Sequence, residues 1–385
     1  MNLTLPPPMV SIPSPDLKAM LWLARTLRHL ALTRPDPLPD TPESANFDPG
    51  HEAVMMGYDF HLTPAGPRLI EVNTNAGGLL MAHETRHPDF ASREVASLLT
   101  DRRLTRLIAT FRTEMGLFAG DAARTPRLMV ILDENPEAQF LYPEMVVAAR
   151  LFQAAGLPCR IVDPSQLDMQ SDGVFLDGQQ VELIYNRHCD FYLETSNLAG
   201  LRSAWLNRRV CLSPNPRAYG LLADKRRLIG WSDAGYLRAL GCPESPIRRI
   251  VTLVPETRRL ASLDPERVWK ERARWVFKPG FGGFGGRGVL LGEKISRTRF
   301  ATLDANSTLV QRHVPPAQIP VANGSPLKSD VRLFMYRDQL LGIGVRGYRG
   351  QVTNFREPGN GFVPVRIDSS LTGFTRFDKP VKMGD

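Results

Sequence analysis

The densest group of glycines in this chain lies between two apolar segments and directly follows a lysine. The segment reads Trp275-Val-Phe-Lys278-Pro-Gly-Phe-Gly-Gly-Phe-Gly-Gly-Arg-Gly288-Val-Leu-Leu291, with six glycines in nine residues. Glycine loses much conformational freedom on folding, so such a run is retained where the backbone takes unusual dihedrals or approaches a ligand closely. The pattern predicts a strand, a glycine flap and a second strand. A lysine at the base of such a flap is typical of polyphosphate sites, because N–H groups surround the oxygens and the ammonium neutralises charge.

Other interpretations of this segment make different structural demands. Residues 280–285 satisfy the dinucleotide pattern G-x-G-x-x-G, but that pattern requires a helix directly after the loop, and residues 289–291 read as a strand. A Walker A loop ends in Gly-Lys-Ser or Gly-Lys-Thr, and this segment does not. A flexible hairpin without a ligand is the remaining alternative. The strand–flap–strand arrangement, which covers ATP phosphates in kinases, fits the residues best.

The composition is that of a globular protein large enough for two or three domains. The 385 residues are 43% hydrophobic and 23% charged. No apolar run approaches the roughly 20 residues of a membrane span, and the N-terminus does not read as a secretory signal. No C-x-x-C pair occurs among the cysteines, which favours free thiols and a cytoplasmic location. The cysteines are Cys159, Cys189, Cys211 and Cys242.

The net charge of +8 is a mild excess, from 48 basic and 40 acidic residues. Such an excess suits phosphate and carboxylate ligands as well as it suits nucleic acid. The sequence contains no motif of an RNA-binding module and no basic tail. We therefore expect neither nucleic acid nor a membrane as a partner, and the oligomeric state stays open.

Hydrophobic periodicity divides the chain into three predicted parts, and the first is 1–120. Its pattern predicts a helix over 17–32, a loop over 33–50, strands at 57–62 and 68–73, and a helix over 92–117. The second part, 121–215, alternates strands with a helix, which predicts a compact domain with a parallel sheet. Its predicted strands are 128–132, 159–162, 181–186 and 210–212, with a helix over 142–155.

The third part, 216–385, begins with a helical pattern and continues as strands. The helical pattern reaches about residue 240, and the proline-containing stretch 246–267 reads as loop. After the flap, strands are predicted at 308–314, 330–336 and 339–346. The whole chain is therefore predicted to belong to the α/β (α+β) class.

A predicted hairpin near the N-terminus carries three oxygen-bearing side chains. Glu71 and Asn73 are two residues apart on one strand, so their side chains point to the same face of a sheet. Asp59 on the partner strand can reach that face. Carboxylate and amide oxygens suit Mg²⁺, which keeps coordination positions for substrate phosphates. An exposed polar strand face is the commoner explanation for such a pattern, but the presence of the flap motif in the same chain favours a metal site.

Taken as a set, the motifs resemble the ATP-grasp superfamily. They are Leu222-Ala-Asp224-Lys225, Val276-Phe-Lys278-Pro with its flap, Leu309-Val-Gln311-Arg-His-Val314, and Asp59 with Glu71-x-Asn73. In the usual order of that superfamily the metal-binding residues come last, whereas here they come first. This order resembles the circularly permuted members, which include glutathionylspermidine-synthetase-like proteins and eukaryotic-type glutathione synthetases.

The resemblance implies an ATP-grasp fold in circularly permuted order. Residues 1–120 would carry its metal-binding half, 216–385 its ATP-binding half with the flap, and 121–215 its parallel α/β substrate domain. The permuted order requires residues 57–75 to pack beside the strands predicted within 330–346. The resemblance covers roughly 57–80 and 215–365.

The resemblance also implies ATP and Mg²⁺ as cofactors and a role for each matched residue. A planar guanidinium suits the charge of a transferred phosphoryl group, although a surface salt bridge is an equal alternative for either arginine. After Gln311 the chain departs from the family pattern, because Arg312 stands where an acidic residue is usual, and Gln318 is the alternative nucleoside contact. The implied ATP-binding residues are Lys225, Lys278, Gly282, Gly283, Gly285, Gly286, Gln311 and Val314; the catalytic residues are Arg332, Arg346 and Asn354; the metal ligands are Asp59, Glu71 and Asn73.

A second motif, His83-Glu84-Thr85-Arg86-His87, fits the zinc-hydrolase pattern H-E-x-x-H. That chemistry needs both histidines on one face of a continuing helix and a third ligand downstream. Pro88 directly follows His87 and disfavours the helical conformation there. The sequence shows no obvious third ligand soon afterwards, so solvent-facing histidines are the simpler interpretation.

The resemblance implies an ATP-dependent ligase that joins a carboxylate to an amine through an acyl phosphate and releases ADP and phosphate. The carboxylate and amine substrates would be small molecules or peptides. Residues 186–190, Asn-Arg-His-Cys-Asp, follow a predicted strand and are the candidate substrate contacts, with an ordinary strand-end loop as the alternative. A zinc hydrolase that uses His83, Glu84 and His87 is the second hypothesis. A nucleotide-binding protein without ligase activity is the third.

Overall fold

The fold is taken from a computed structural model, which describes residues 9–87, 94–280, 288–321, 325–351, 353 and 355–368. The helices of these ranges are Ser14–Thr33 (α1), Glu43–Asn46 (α2), Leu79–Glu84 (α3), Val95–Leu98 (α4), Arg102–Ala119 (α5), Tyr142–Ala154 (α6), Ala199–Leu206 (α7), Pro216–Ala218 (α8), Arg227–Trp231 (α9), Ala234–Ala239 (α10), Glu244–Leu253 (α11), Pro265–Lys270 (α12) and Arg297–Ala301 (α13). A π-helical turn covers Tyr219–Ala223.

The longest strands of the same ranges lie near the two ends of the chain, with eight residues in each strand of an N-terminal hairpin and ten in each of two strands near the C-terminus. The strands are Val10–Pro13 (β1), Met56–Thr63 (β2), Gly66–Asn73 (β3), Met129–Leu132 (β4), Cys159–Val162 (β5), Asp168–Gln170 (β6), Gly173–Leu176 (β7), Gln179–Gln180 (β8), Leu183–Asn186 (β9), Cys211–Ser213 (β10), Thr257–Arg259 (β11), Trp275–Pro279 (β12), Leu290–Leu291 (β13), Thr308–Arg312 (β14), Ala317–Ile319 (β15), Leu327–Tyr336 (β16), Gln339–Tyr348 (β17), Gly361–Val363 (β18) and Val365–Asp368 (β19).

The central sheet combines strands from both ends of the chain. Strands β18, β17, β16, β2 and β3 lie in this order, each antiparallel to the next, and β15 pairs with the start of β16. The register of β2 on β16 sets Asp59 opposite Arg332 and Phe60 opposite Val331. The expected packing of 57–75 beside the strands within 330–346 is therefore confirmed.

Alternation along these strands separates an apolar face from a polar face. Tyr58, Phe60, Val331, Leu333 and Val345 are buried in one core together with the apolar side of α1. Successive side chains of a strand point to opposite faces, so the residues between them share the other face. That second face carries the polar side chains of Asp59, Arg332 and Arg346.

A smaller antiparallel sheet, in the order β11, β14, β12, β13, carries the strand before the flap. Trp275, Phe277 and Val310 are buried on one face against α12 and α13. Lys278 and Gln311 alternate with them and face the opposite way. This opposite face is turned toward the central sheet, because both side chains hydrogen-bond to the carbonyl of Ile70 in β3.

The strands β10, β9, β4 and β5 form a parallel sheet in that order, as the sequence predicts for residues 121–215. Helices α5 and α6 cover one face and α7 covers the other. From β4 the chain runs to β5 on one side, and from β9 it runs to β10 on the other side. The carboxyl ends of β4 and β9 therefore flank a topological switch point, where open α/β sheets form a crevice.

Two predicted boundaries are wrong. Residues 246–267 do not form a continuous loop, because α11 buries Ile247, Ile250 and Leu253 on one side. Prolines are tolerated in the first turn of a helix, and Pro246 in that turn obscured the helical pattern. The helix predicted over 92–117 is divided into α4 and α5, because the Asp101 carboxylate caps a new helix by accepting from the N–H of Arg103 at 2.7 Å.

The mixed helix and sheet architecture confirms the predicted α/β (α+β) class. No helix of the described ranges is both long and apolar enough to cross a membrane.

Candidate active site

Asp59 lies at the centre of the polar face of the central sheet and is 2% exposed. Its carboxylate accepts hydrogen bonds from Nε and Nη2 of Arg332, each at 2.6 Å, and from Nη2 of Arg346 at 2.8 Å. Burial by itself would raise the pKa of Asp59, but the charges and hydrogen bonds of the two arginines outweigh it and hold the pKa well below its usual range. Asp59 is therefore a buried carboxylate that is ionised at neutral pH.

Arg346 bridges two carboxylates. Its Nε donates to Asp330 at 2.5 Å, and its Nη2 donates to Asp59. Its Nη1 donates no hydrogen bond to any of the described residues. Burial would lower the pKa of Arg346, but the two aspartates and Glu71 raise it above its usual value. Thr353 in turn donates to the other oxygen of Asp330 at 2.7 Å. Neither Asp330 nor Thr353 is predicted from the sequence to belong to the site, although the spacing of Asp330 and Arg332 places them on one strand face.

Glu71 and Asn73 lie at the edge of the same face, on β3. The Nδ2 of Asn73 donates to Asp59 at 3.1 Å and to Glu71 at 3.3 Å, which orients the Asn73 carbonyl oxygen away from both carboxylates. Glu71 stands opposite Asp59 in the register. The three residues predicted as metal ligands are therefore in mutual contact.

Lys278 extends from β12 toward this group and is 5% exposed. Its Nζ donates to the carbonyl of Ile70 at 3.1 Å, directly before Glu71. Burial lowers the pKa of Lys278 to about 8, and the charge of Lys225 adds to this, while Glu71 and Asp59 act in the opposite direction. The second lysine expected to bind phosphate and two of the acidic residues expected to bind metal are thus close enough for their charges to act on Lys278.

Lys225 follows the π-helical turn, and its neighbours are fixed in position. The Asp224 carboxylate accepts from the hydroxyl of Tyr192 at 2.7 Å and from Nε and Nη2 of Arg226 at 2.9 and 2.7 Å. All three residues of this cluster are buried. These hydrogen bonds hold the residues on both sides of Lys225 in position. The sequence motif does not predict them.

The expected adenine hinge lies at the end of β14. Gln311 is buried, and its Nε2 donates to Thr257 Oγ1 at 3.3 Å and to Ile70 at 3.5 Å. The carbonyl of Val314 accepts from Nδ1 of His61 at 2.7 Å. Gln318 lies in β15 with an exposed side chain. The end of β14 and the residues after it therefore lie against the β2–β3 hairpin, which carries Asp59 and Glu71.

Several predicted site residues lie outside the described ranges: Gly282, Gly283, Gly285, Gly286 and Asn354. Gly288, the last glycine of the flap motif, is described and has a φ of +77°, a backbone conformation that disfavours any side chain.

The segment after β3 connects this face to the parallel sheet. Asn75 donates to the carbonyl of Arg187 at 3.1 Å, and Arg187 Nη1 donates back to the carbonyl of Asn75 at 2.8 Å. The carbonyl of Gly77 accepts from Nη1 of Arg332 at 3.3 Å. A Cβ on Gly57 would lie 2.7 Å from that of Ala76, so glycine at this position allows the segment to lie close to β2.

Buried polar groups follow β4 and β9, at the switch point where a crevice is expected. Asp133, directly after β4, is 7% exposed, and burial raises its pKa to about 6 although the charge of Arg187 opposes this. His188, after β9, is 5% exposed. Its Nδ1 accepts from the N–H of Asp190 at 3.0 Å, which places the proton of the neutral ring on Nε2. That Nε2 is buried and has no hydrogen-bond partner among the described residues.

The H-E-x-x-H motif lies at the end of α3. Tight turns continue past the helix, with the N–H of His87 donating to Glu84 at 2.9 Å. The rings of His83 and His87 stack at 4.5 Å, and Asp101 Oδ2 lies 3.4 Å from Nε2 of His83. The sequence shows no obvious third ligand soon after the motif, but the start of α5 brings the Asp101 carboxylate to the pair.

Comparison with solved structures shows the fold. The chain is similar to a glutathione synthetase-like effector from Globodera pallida, with a TM-score of 0.51, 12% identity, and coverage of 94% of this chain and 90% of the other. It is also similar to a protein named as a gamma-glutamylcysteine synthetase from Methylobacillus flagellatus KT, with a TM-score of 0.51, 13% identity, and coverage of 90% and 85%. No protein-family model and no curated protein sequence matches the chain. These two matches show that the chain shares the fold of glutathione synthetase-like proteins, in agreement with the fold expected from the motifs.

Proposed function

We propose that this chain is an ATP- and Mg²⁺-dependent ligase that joins a carboxylate to an amine. The substrate carboxylate would attack the γ-phosphate of ATP and release ADP. The amine would then attack the resulting acyl phosphate and release phosphate. In this proposal 1–120 and 216–385 form the ATP-binding unit in circularly permuted order, and 121–215 forms the substrate domain.

The observation that carries the proposal is the buried ammonium of Lys278. An ammonium has three donor hydrogens, and among the described residues the Nζ of Lys278 hydrogen-bonds only to the carbonyl of Ile70. The positive charge of Lys225 also acts on Lys278. Buried charges are normally paired, and among the described residues no carboxylate hydrogen-bonds to the Lys278 ammonium, so a bound anion would complete its surroundings. A triphosphate bound between β12 and the central sheet would supply that anion.

The acidic residues fit Mg²⁺ unequally. The two oxygens of Asp59 already receive hydrogen bonds from Arg332, Arg346 and Asn73, which leaves little basicity for a metal. Glu71 and the carbonyl oxygen of Asn73 have fewer partners and suit the preference of Mg²⁺ for a few protein oxygens. We therefore assign Glu71 and Asn73 as the ligands and Asp59 as the residue that positions the arginines. Bound Mg²⁺ would neutralise phosphate charge.

Arg332 and Arg346 would stabilise the charge that develops on the transferred phosphoryl group and on the tetrahedral intermediate. Asp59 and Asp330 fix the two guanidinium groups before substrate arrives, so they need not reorganise during the reaction. Such a site works by positioning and charge neutralisation and requires no nucleophilic side chain. Asn354 remains a proposed member of the site.

The crevice beside Asp133 and His188 would bind the substrate. The unpartnered Nε2–H of His188 is a donor for a carboxylate or carbonyl oxygen, and Asp133 is an acceptor for an ammonium or amide group. Hydrogen bonds between Arg187 and Asn75 connect this crevice to the strand end that carries Asn73. An amino acid or a short peptide offers both kinds of group, so we propose this class of substrate.

The proposal is tested by ADP release from purified protein with Mg-ATP against a panel of amino acids, short peptides and polyamines. The proposal predicts ADP release only when both a carboxylate and an amine are present. It also predicts a product whose mass equals the two substrates minus water. Nucleotide binding without amine-dependent ADP release would favour the binding-protein alternative. Hydrolysis of an ester or peptide that depends on Zn²⁺ and not on ATP would favour the hydrolase alternative with His83, Glu84 and His87.

A further inference from the structure

Three side chains lie close together where the end of α3 and the turn after it meet the start of α5. His83 lies on α3, His87 lies one turn later, and Asp101 caps α5. One ligand atom of each residue lies within 4.8 Å of the ligand atoms of the other two. The group shares no residue with the proposed ATP and Mg²⁺ site.

We propose that His83, His87 and Asp101 bind one divalent transition-metal ion of the Zn²⁺ class. Two imidazoles and one carboxylate are ligands that Zn²⁺, Co²⁺ and Ni²⁺ accept readily, whereas Mg²⁺ and Ca²⁺ prefer oxygen ligands. Three protein ligands leave a coordination position for water. The site is therefore chemically different from the carboxylate and amide group around Glu71.

The local geometry needs little change to hold such an ion. A tetrahedral ion with bonds of about 2.0 to 2.1 Å separates its ligand atoms by about 3.3 Å. His83 Nε2 and Asp101 Oδ2 are already 3.4 Å apart. No separation in the group exceeds 4.8 Å, so each must shorten by at most about 1.5 Å, which side-chain rotation supplies. The carboxylate is also oriented, because its other oxygen accepts from the N–H of Arg103 at 2.7 Å.

Charge near the group sets the expected strength of binding. Asp101 is the only anion among the three ligands, and the positive charges of Arg103 and Arg86 act on His83. The Arg86 guanidinium donates to the carbonyl of Val365 at 2.6 Å, whereas Arg103 lies two residues from the ligand Asp101. We therefore expect Arg103→Gln, which leaves every ligand in place, to bind the ion several-fold more tightly than the wild type.

The experiment uses the full chain without a histidine tag, stripped of metal with EDTA. Co²⁺ is titrated while its visible absorption is recorded, and Zn²⁺ is titrated by calorimetry. The wild type should bind one equivalent of either ion with the absorption of a tetrahedral or five-coordinate Co²⁺ site. Because Zn²⁺ would bind the folded chain, it should also raise the melting temperature.

Two ligand variants and one control complete the test. His87→Ala and Asp101→Asn should each weaken binding at least tenfold, and asparagine preserves the helix cap, so α5 should remain intact. His29→Ala removes a half-buried histidine of α1 that is outside the group and should bind like the wild type. The proposal is overturned if the wild type binds no stoichiometric Co²⁺ or if the two ligand variants bind it like the wild type. Displacement of Co²⁺ by excess Mg²⁺ would also overturn it, because that ion would then occupy an oxygen site.

Discussion

Asp59 and Arg332 lie directly opposite each other on two paired strands, and 273 residues separate them in the chain. Two hydrogen bonds of 2.6 Å join the carboxylate to the guanidinium fork. This pair joins the N-terminal hairpin to the C-terminal strands at the point where the acidic and basic side chains of the candidate site meet. The site therefore depends on the packing of the two ends of the chain in one sheet.

The assignment of Mg²⁺ to Glu71 and Asn73 predicts different behaviour for two acidic variants. Glu71→Gln removes a metal ligand, so we expect turnover to be nearly abolished and partly recovered at high Mg²⁺, with the fold intact. Asp59→Asn should lower turnover at every Mg²⁺ concentration, because it releases the arginines. Turnover measured against Mg²⁺ concentration separates the two effects. A wild-type Mg²⁺ response in Glu71→Gln would contradict the ligand assignment.

Asp59→Asn should also destabilise the protein. Removing one partner of a buried ion pair leaves the remaining charges unpaired, which costs about 3 to 5 kcal/mol. We expect a loss of this size in the free energy of unfolding, measured by urea denaturation at pH 7. Glu71→Gln is the matched control, since Glu71 is less buried, and its unfolding free energy should stay close to that of the wild type.

The lowered pKa of Lys278 predicts that ATP binding depends on pH. The lysine has a pKa of about 8 in the free protein, and bound triphosphate would raise it, so binding takes up a proton above pH 8. ATP affinity should therefore be constant below pH 8 and fall by up to about tenfold per pH unit above it. Lys278→Arg should remove this dependence, because arginine stays charged.

Calorimetric titration of ATP between pH 7 and pH 10 measures this dependence. Lys294→Arg, at an exposed position, is the control and should follow the wild-type profile. An identical decline with pH in Lys278→Arg would assign the titration to another group.

Arg346 should tolerate no substitution by lysine, although the charge is preserved. A lysine cannot donate simultaneously to Asp59 and Asp330 and still present a planar group to phosphate. We expect single-turnover rates about 10²-fold below the wild type, with ATP affinity changed much less. Arg349→Lys, at an exposed position, should be neutral. Equal rates for Arg346→Lys and the wild type would remove this residue from the reaction.

Asp133 should show opposite effects on stability and on activity. Its pKa is raised from 3.8 to about 6, so ionisation in the folded state is unfavourable, and stability is lost as the pH rises from about 4 to 6. Asp133→Asn removes this loss, so at pH 7 it should be more stable than the wild type by on the order of 2 kcal/mol. The gain should vanish below pH 4. Substrate KM should rise at the same time, and an unchanged KM would exclude Asp133 from the substrate contacts.

Short-range patterns predict much of the site, whereas contacts between distant residues do not follow from them. Alternation on β3 places Glu71 and Asn73 on one face, and the lysine before the glycine flap is evident from local sequence. Arg332 and Arg346 donate hydrogen bonds to the Asp59 carboxylate only because β2 pairs with β16. Such register between distant strands is a property of the folded chain, and no local pattern encodes it.

Two other features show the same limit. The strand order that brings Asp133 and His188 to one crevice depends on how β9 and β10 are placed relative to β4. Asp101 reads in the sequence as a helix cap, and only the packing of α5 beside α3 brings it to His83. In each case the sequence shows the residue itself, but only the tertiary structure determines which residues lie next to it.

The most direct test of the central claim is to follow oxygen from the carboxylate substrate that the ADP-release panel identifies. The substrate carboxylate is labelled with ¹⁸O, and the released phosphate is analysed by mass spectrometry. An acyl phosphate mechanism transfers one carboxylate oxygen to the phosphate, so the account predicts one ¹⁸O atom per phosphate released. Phosphate without label, formed at the same rate as ADP, would show that water attacks the γ-phosphate and would contradict the account.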